Sequence, residues 1–393
     1  MRSVALLCGI VLMMGAAPAG RPMQDDAASL MARIEGPQTP DRQGFDSLTL
    51  DGLMKRFRVP GVSVAVVRDG RVHWTKAYGL ADVTAKAPAT PETMFQAASI
   101  SKPVTAVAVM RAVEAGRLDL DTDVNTYLKS WKVPENEFTR GRPVTLRALL
   151  SHTSGTGDGF GFPGYNPDAP RPTLVQILDG ERPSNVGRVF WERPPFTAQK
   201  YSGGGTVIVQ LILTEALGKP FHVLMKELVL DPIGMTNSTY EQPLPASRDA
   251  QSARAHSGAG AARDTKWHVY PEQAAAGLWT TPGDLAKLGI EVQKALRGES
   301  KILSRAAAQE LTSPVGTGPF AVGFAVEQRG QGWYFMHGGS NWGFQCDLLM
   351  HRLKGYGVVI MTNADSGGRL ISELEARIAA AYNWDSLDKP VPR

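Results

Sequence analysis

Strand signals sit at the two ends of this chain, separated by a stretch (117–270) that carries almost none, and this spacing limits the folds open to it. The first signal is a hairpin: Val62–Val67 is apolar and β-branched, Asp69-Gly70 supplies a tight turn, and Arg71–Tyr78 returns. The late series is Phe320–Gln328, Trp333–His337, Gly343–Met350 and Gly357–Thr362. Between them, short helical patterns such as Val144–Ser151 and Thr206–Leu217 alternate with loops dense in Gly and Pro, and Gly218-Lys219-Pro220 and Asp231-Pro232-Ile233-Gly234-Met235 mark helix ends. Early and late strands around a helical middle predict an α+β chain: an antiparallel sheet flanked by helices, with a mostly helical domain inserted. The expected division is 45–116 with 271–383 as one discontinuous α/β domain, 117–270 as the helical and loop-rich insert, and 384–393 as a tail.

Helices are expected at three places around the sheet. Leu48, Leu50, Leu53, Met54 and Phe57 form an amphipathic pattern that stops before Pro60-Gly61. A second helix opens at Ser99 and runs to about Ala115, where Gly116 ends it; Pro103 is tolerated because it falls in the first turn. A third runs from Arg369 to about Tyr382. Residues 20–44 read as a linker with one short helix around Ser29–Ile34.

Arg2, the apolar run Val4–Met14 and Ala17-Pro18-Ala19 form the pattern of a secretory signal peptide (1–19), which predicts a secreted or periplasmic protein starting at Gly20. Cleavage would remove Cys8 and leave Cys346 alone, so no internal disulfide is expected and the core must hold itself together. No later segment is long and apolar enough for a stable membrane span. With 42 basic and 38 acidic residues the net charge is only +4, without a Lys/Arg block, which argues against nucleic acid as a partner.

The chemistry centres on Ser99-Ile100-Ser101-Lys102. A serine hydroxyl is a poor nucleophile until something takes its proton. A lysine three residues later on a helix lies on the same face and brings its amine beside that hydroxyl. Ser386-Leu387-Asp388-Lys389 has the same spacing but lies in the tail before Pro390, and reads as a chance match. Two further short motifs follow in order, Tyr201-Ser202-Gly203 and, on an expected strand, His337-Gly338-Gly339.

In this order, with the inserted helical region, the motifs resemble the serine β-lactamase and penicillin-binding-protein superfamily. Within it the chain is most similar to the class C β-lactamase group, which also holds DD-peptidases, D-aminopeptidases and family VIII carboxylesterases. Pro60–Val66, Leu149–Gly155, Asp231–Met235 and Ala276–Leu285 fit the same group, so the likeness spans Phe45 to Tyr382. The resemblance implies a Ser99 acyl-enzyme assisted by Lys102, with Tyr201 as the neighbouring phenol that takes the serine proton and later activates water. Lys102 or Tyr201 would need a strongly perturbed pKa for that work. The oxyanion would be held by the backbone N–H groups of Ser99 and, by resemblance, Ser340. His337, Gly338 and Gly339 would bind substrate, the glycines letting it approach the strand.

The chain departs from the β-lactamases of this group at two places. Gly203 stands where an asparagine would orient the lysine and bind the substrate amide, and His337 stands where a lysine would attract a carboxylate; histidine is only partly charged near neutral pH. The expected function is therefore an exported serine hydrolase acting on a small ester or peptide, with weak β-lactam hydrolysis. The alternative is a penicillin-binding or cell-wall-binding protein, with peptidoglycan as partner, that acylates slowly without turnover. No cofactor is implied. His73, His222, His256, His268 and His351 have no metal-ligand spacing, so no metal is expected. His152, in Leu149–Gly155, is assigned to structure, and the loop Gly155–Arg171 with Phe160, Phe162 and Tyr165 is expected to pack over the site or line its acyl side. No Gly-x-Ser-x-Gly elbow occurs, which argues against an α/β-hydrolase.

Overall fold

The computed structural model describes residues 23–41, 44–159 and 161–385. The signal-like segment, Phe160 and Ser386–Lys389 lie outside them. The described chain opens with helix α1 (Met23–Glu35) and helix α2 (Leu50–Phe57). Thr49 caps α2, and Arg58, in the left-handed region, ends it. Strands β1 (Gly61–Arg68) and β2 (Arg71–Asp82) then form the expected hairpin. Asp69 and Gly70 both have positive φ, 53° and 69°, the twist that a two-residue hairpin turn requires.

The chain continues through β3 (Ala87–Pro88), β4 (Phe95–Gln96) and α3 (Ser101–Glu114) into the helical region. That region holds α4 (Leu146–Leu150), α5 (Leu174–Asp179), α6 (Gly203–Leu217), α7 (Phe221–Met225) and α8 (Asp231–Ile233). It returns through α9 (Gln273–Ala276), β5 (Trp279–Thr280), α10 (Pro282–Arg297) and α11 (Arg305–Thr312). Strands β6 (Ala325–Arg329), β7 (Gly332–Asn341), β8 (Phe344–His351) and β9 (Gly357–Thr362) follow, and α12 (Gly367–Tyr382) closes the chain.

Seven strands make one antiparallel sheet in the order β3-β2-β1-β9-β8-β7-β6. The hairpin and the late strands thus join where β1 pairs with β9, from Val62 opposite Thr362 to Val67 opposite Gly357. Among the described residues, 117–270 contribute no strand to this sheet. Side-chain alternation explains why it is covered on both sides. Val62, Val64 and Val66 point with Val358 and Ile360 into a core closed by α1, α2 and α12. Ala65, Val67, Val359 and Met361 point into a second core that runs through α3, α10 and α11 and continues through α4 and α6. Each buried valine or isoleucine stabilises this sandwich by about 2 kcal/mol.

Two expectations are corrected. The segment read as a linker with a short helix carries the 13-residue α1, whose Ala27, Leu30 and Ile34 are buried, Ala27 and Ile34 in the core shared with α12. The second helix does not open at Ser99. Ala98–Ile100 form a separate 3₁₀ turn, and α3 starts at Ser101.

Among the described residues no single helix is long and apolar enough to cross a membrane, and no group of three or more His, Cys, Asp or Glu is arranged to hold a metal ion.

Candidate active site

Ser99 lies in the 3₁₀ turn between the short strand β4 and α3. The residue before it, Ala98, has φ of +49°, a left-handed conformation that a side chain with a Cβ adopts at a cost of about 1 kcal/mol. Fixed neighbours hold this turn. Ala97 N–H donates to Leu278 O at 2.9 Å, Ile100 N–H donates to Ala97 O at 3.0 Å, and the Cys346 thiol approaches Ala97 O at 3.0 Å.

Lys102, the second residue of α3, is buried, with 4% of its surface exposed. Its Nζ lies 3.1 Å from Ser99 Oγ and donates to Ala275 O at 2.9 Å. That carbonyl belongs to α9, across the core from α3. The Tyr201 ring stands beside the same amine, its centroid 4.9 Å from Nζ. The structure therefore gathers Ser99, Lys102 and Tyr201 at one point.

Tyr201 precedes the N-terminus of α6 and is clamped from the loop 152–158. Ser202 N–H donates to His152 Nδ1 at 3.2 Å, and Lys200 N–H donates to His152 O at 2.8 Å. The His152 ring packs on the Tyr201 ring at 4.4 Å. Ser202 is the N-cap: its Oγ accepts from Gly205 N–H at 2.8 Å and donates to Asp158 Oδ1 at 2.8 Å, while Asp158 Oδ2 accepts from Gly204 N–H at 3.0 Å. Because Nδ1 of His152 accepts, its proton sits on Nε2. Burial first, then the Lys102 charge, pushes its pKa well down and keeps the ring neutral.

The third motif lies on β7. Strand β6 pairs with β7 only as far as Ala325 opposite Met336, so on that side His337–Asn341 have no strand neighbour, and this stretch packs against the Ser99 turn. Gly339 makes the packing possible. A Cβ there would lie 2.3 Å from Ala97 O and 2.5 Å from Cys346 Sγ. A Cβ at Gly338 would stand 3.3 Å from Asp347 Oδ1. Ser340 is exposed, and its side chain accepts from Gln345 Nε2 at 2.8 Å.

A cleft of about 480 Å³ runs along this free edge. It is lined by Ser99 and Tyr201 at one end, by His337–Ser340 along the strand, and by Arg329, Asp347 and Glu375 at the other. Every residue expected in the site except Lys102 lines it; Lys102 lies behind Ser99. A larger groove of about 1010 Å³, lined by Trp131, Phe190 and Trp191, contains none of the motif residues.

His337 is not partly charged. It is 5% exposed, and burial followed by the Lys102 charge pushes its pKa down to about 3. Arg329 is fully engaged: Nε pairs with Glu327, Nη1 lies 3.3 Å from Glu375 Oε2, and Nη2 approaches Met336 Sδ at 3.6 Å. Burial and the neighbouring Glu375 hold the Asp347 carboxyl well above its usual range.

Several members of the site have no local sequence signal. Ala275 contributes a carbonyl from a distant helix, and Asp158 acts from a glycine-rich loop. Phe162 packs against the core and Tyr165 is buried, so neither described aromatic of that loop lines the cleft. The stretch His152–Asp158 would have pointed to Asp158 only through knowledge that it faces the N-terminus of α6, which carries Gly203, Gly204 and Gly205.

A family model described as Beta-lactamase matches residues 48–383. The chain is 24% identical to Protein flp of Staphylococcus aureus (strain N315) over 350 residues, covering 86% of this chain and 67% of that protein. It is 29% identical to Esterase EstB of Burkholderia gladioli over 226 residues, 56% of this chain and 54% of EstB. Among solved structures, the D-amino acid amidase of Ochrobactrum anthropi SV3 superposes with a TM-score of 0.68 at 20% identity, over 91% of this chain and 98% of the amidase, a likeness of fold.

Proposed function

The chain belongs to the beta-lactamase family, and from that premise we propose that it is a serine hydrolase cleaving a small ester or amide through an acyl-enzyme on Ser99. The observation that carries this reading is the 3.1 Å contact between Lys102 Nζ and Ser99 Oγ, with Lys102 buried and anchored on Ala275 O. The anchor fixes one N–H of the amine. What remains of Nζ faces the serine, as a lone pair when the amine is neutral and as a donor when it is charged.

In the proposed cycle, Ser99 Oγ attacks the carbonyl carbon while its proton passes to the Lys102–Tyr201 pair. The carbonyl π electrons move onto oxygen, which the N–H groups of Ser99 and Ser340 stabilise. Collapse breaks the bond to the alkoxide or amine, which leaves with the stored proton. Water then repeats the sequence on the acyl-enzyme and returns Ser99 to its hydroxyl form. Gly203 in place of asparagine and the neutral His337 in place of lysine fit an esterase or D-amino-acid peptidase better than an efficient β-lactamase. EstB, an esterase by name, and the D-amino acid amidase lie on this side. Export rests on the signal pattern of Met1–Ala19 and is part of the same proposal.

The test is intact-protein mass spectrometry with p-nitrophenyl butyrate and, separately, a fluorescent penicillin, on wild type and Ser99→Ala. Rapid ester turnover with little stable penicillin adduct, both lost in the variant, is the expected result. A persistent penicillin adduct with negligible ester turnover would move the reading to a slow-acylating penicillin-binding protein. Full activity in Ser99→Ala would overturn the acyl-enzyme.

A further inference from the structure

The hydrogen bond at His337 fixes more than the ring's position. His337 Nδ1 lies 2.6 Å from Gly338 O. A carbonyl oxygen only accepts, so Nδ1 must carry the proton, and in a neutral imidazole Nε2 is then a bare acceptor. That Nε2 is buried and has no hydrogen-bond partner. His337 lines the cleft, and its ring lies beside those of Tyr201 and Phe320, whose centroids are 6.2 and 5.8 Å from its own. A buried acceptor without a donor costs free energy that a bound ligand can recover.

The other charged groups along the cleft point the same way. Arg329, the cation that lines it, is engaged by Glu327 and Glu375, and lies with Met336 and Asp347 on the opposite face of β7 from the His337 ring. Lys102 lies behind Ser99, with Nζ against Ser99 Oγ and Ala275 O. A carboxylate on a substrate lying along β7 would meet a lone pair and, among the described residues lining the cleft, no unengaged cation. A hydroxyl, amide N–H or ammonium would meet an acceptor that lacks a partner.

We infer that His337 turns the leaving-group side of this site into a hydrogen-bond acceptor, selecting esters or amides whose leaving group carries an O–H or N–H donor and disfavouring those whose leaving group carries a carboxylate. The inference rests on the serine-hydrolase reading above. The leaving-group side is assigned because His337 neighbours Tyr201, the group that returns the proton to the departing atom. A site built around a buried acceptor rejects analogues that lack the matching donor more sharply than an apolar pocket rejects a missing methylene.

Three butyrate esters with the same acyl group and similar alcohols test this: the 2-hydroxyethyl, 2-methoxyethyl and carboxymethyl esters. In wild type, kcat/KM is expected to be at least about tenfold higher for the hydroxyethyl ester than for the methoxyethyl ester, with the carboxymethyl ester lowest. His337→Lys is expected to lower the hydroxyethyl-to-carboxymethyl ratio by at least about tenfold. Should that variant not fold, ¹⁵N NMR of the wild-type histidines reads the tautomer directly, with Nδ1 protonated and Nε2 bare expected for His337. Equal rates on all three esters, or a bare Nδ1, would overturn the inference and leave the serine-hydrolase reading standing. No hydrolysis of these esters or of p-nitrophenyl butyrate by folded protein would overturn both.

Discussion

The Asp158 carboxylate holds the N-terminus of α6 with both oxygens, Oδ1 accepting from the Ser202 hydroxyl at 2.8 Å and Oδ2 from Gly204 N–H at 3.0 Å. The two contacts straddle Gly203 and fix the backbone immediately after Tyr201. Burial raises the Asp158 pKa, and the hydrogen bonds from Ser202 and Gly204 oppose that rise, so the carboxyl is held at some cost for the order it brings. Asp158→Ala is expected to lower stability by about 1 kcal/mol through the lost cap and to lower kcat on p-nitrophenyl butyrate by about tenfold or more with little change in KM. Asp158→Asn keeps one acceptor and should fall between the two. Denaturation midpoints and steady-state kinetics check this; a kcat equal to wild type in a folded Asp158→Ala protein would show that Tyr201 is positioned without it.

Tyr201 can be tested apart from its surroundings, because Tyr201→Phe keeps the ring that packs on His152 at 4.4 Å and removes only the hydroxyl. If that oxygen carries the proton between Ser99 and the leaving group, kcat should drop by about 10² or more while the folded state is unchanged. Steady-state kinetics on the same ester, with circular dichroism as the folding control, decides it. A wild-type rate would leave Lys102 as the base.

Gly338 and Gly339 are adjacent, yet their expected responses to alanine differ. A Cβ at 339 would overlap Ala97 O and Cys346 Sγ at 2.3 and 2.5 Å, so β7 must move away from the Ser99 turn and carry Ser340 N–H with it. Loss of one oxyanion donor lowers kcat by about 10²–10³. A Cβ at 338 meets Asp347 Oδ1 at 3.3 Å, which a small shift relieves, and Cys346 O at an ordinary 3.9 Å. Gly339→Ala is expected to lose most activity and some stability, and Gly338→Ala to retain activity within about tenfold. Comparable activity in the two variants would place the oxyanion elsewhere.

What the sequence revealed and what it hid divide along a physical line. The hairpin at Asp69-Gly70, the late strands and the Ser99–Lys102 spacing rest on local periodicity and turn chemistry, and these are written in neighbouring residues. The strand order, with β1 joined to β9 and the short β3 at the edge, rests on long-range pairing that local patterns do not specify. Hidden were contacts made across the fold. Ala275 O reaches Lys102 from 173 residues away through a backbone atom, which no residue type announces. The +49° φ of Ala98 has no local signal, since alanine has no preference for it, and the turn is held by Leu278 O and the Cys346 thiol on Ala97. The neutrality of His337 follows from burial and from the Lys102 charge, neither of which is visible in His337-Gly338-Gly339 itself. The helix α1 was masked by the polar, Pro- and Gly-flanked composition around it, and its docking on α12 is a tertiary effect.

Glu272 supplies a stability prediction of the same hidden kind. It immediately precedes α9, the helix whose Ala275 carbonyl anchors Lys102, and it is fully buried, with neither oxygen meeting a hydrogen-bond partner from another residue. Burial pushes its pKa up to about 8. In the unfolded chain the same carboxyl titrates near 4.3. Below that pH both states hold the proton and Glu272 adds no pH dependence. Between about 4.3 and 8 the folded state keeps a proton that the unfolded state has released, so stability falls as pH rises, by about 1.4 kcal/mol per pH unit from this group alone. Above 8 the loss is complete. Glu272→Gln is neutral throughout and removes that slope. The free energy of unfolding of wild type relative to Glu272→Gln, measured by chemical denaturation from pH 5 to pH 8, is therefore expected to decline steadily across the range. A difference that stays constant with pH would mean that the folded protein holds Glu272 ionised, with a counter-charge or water beside it.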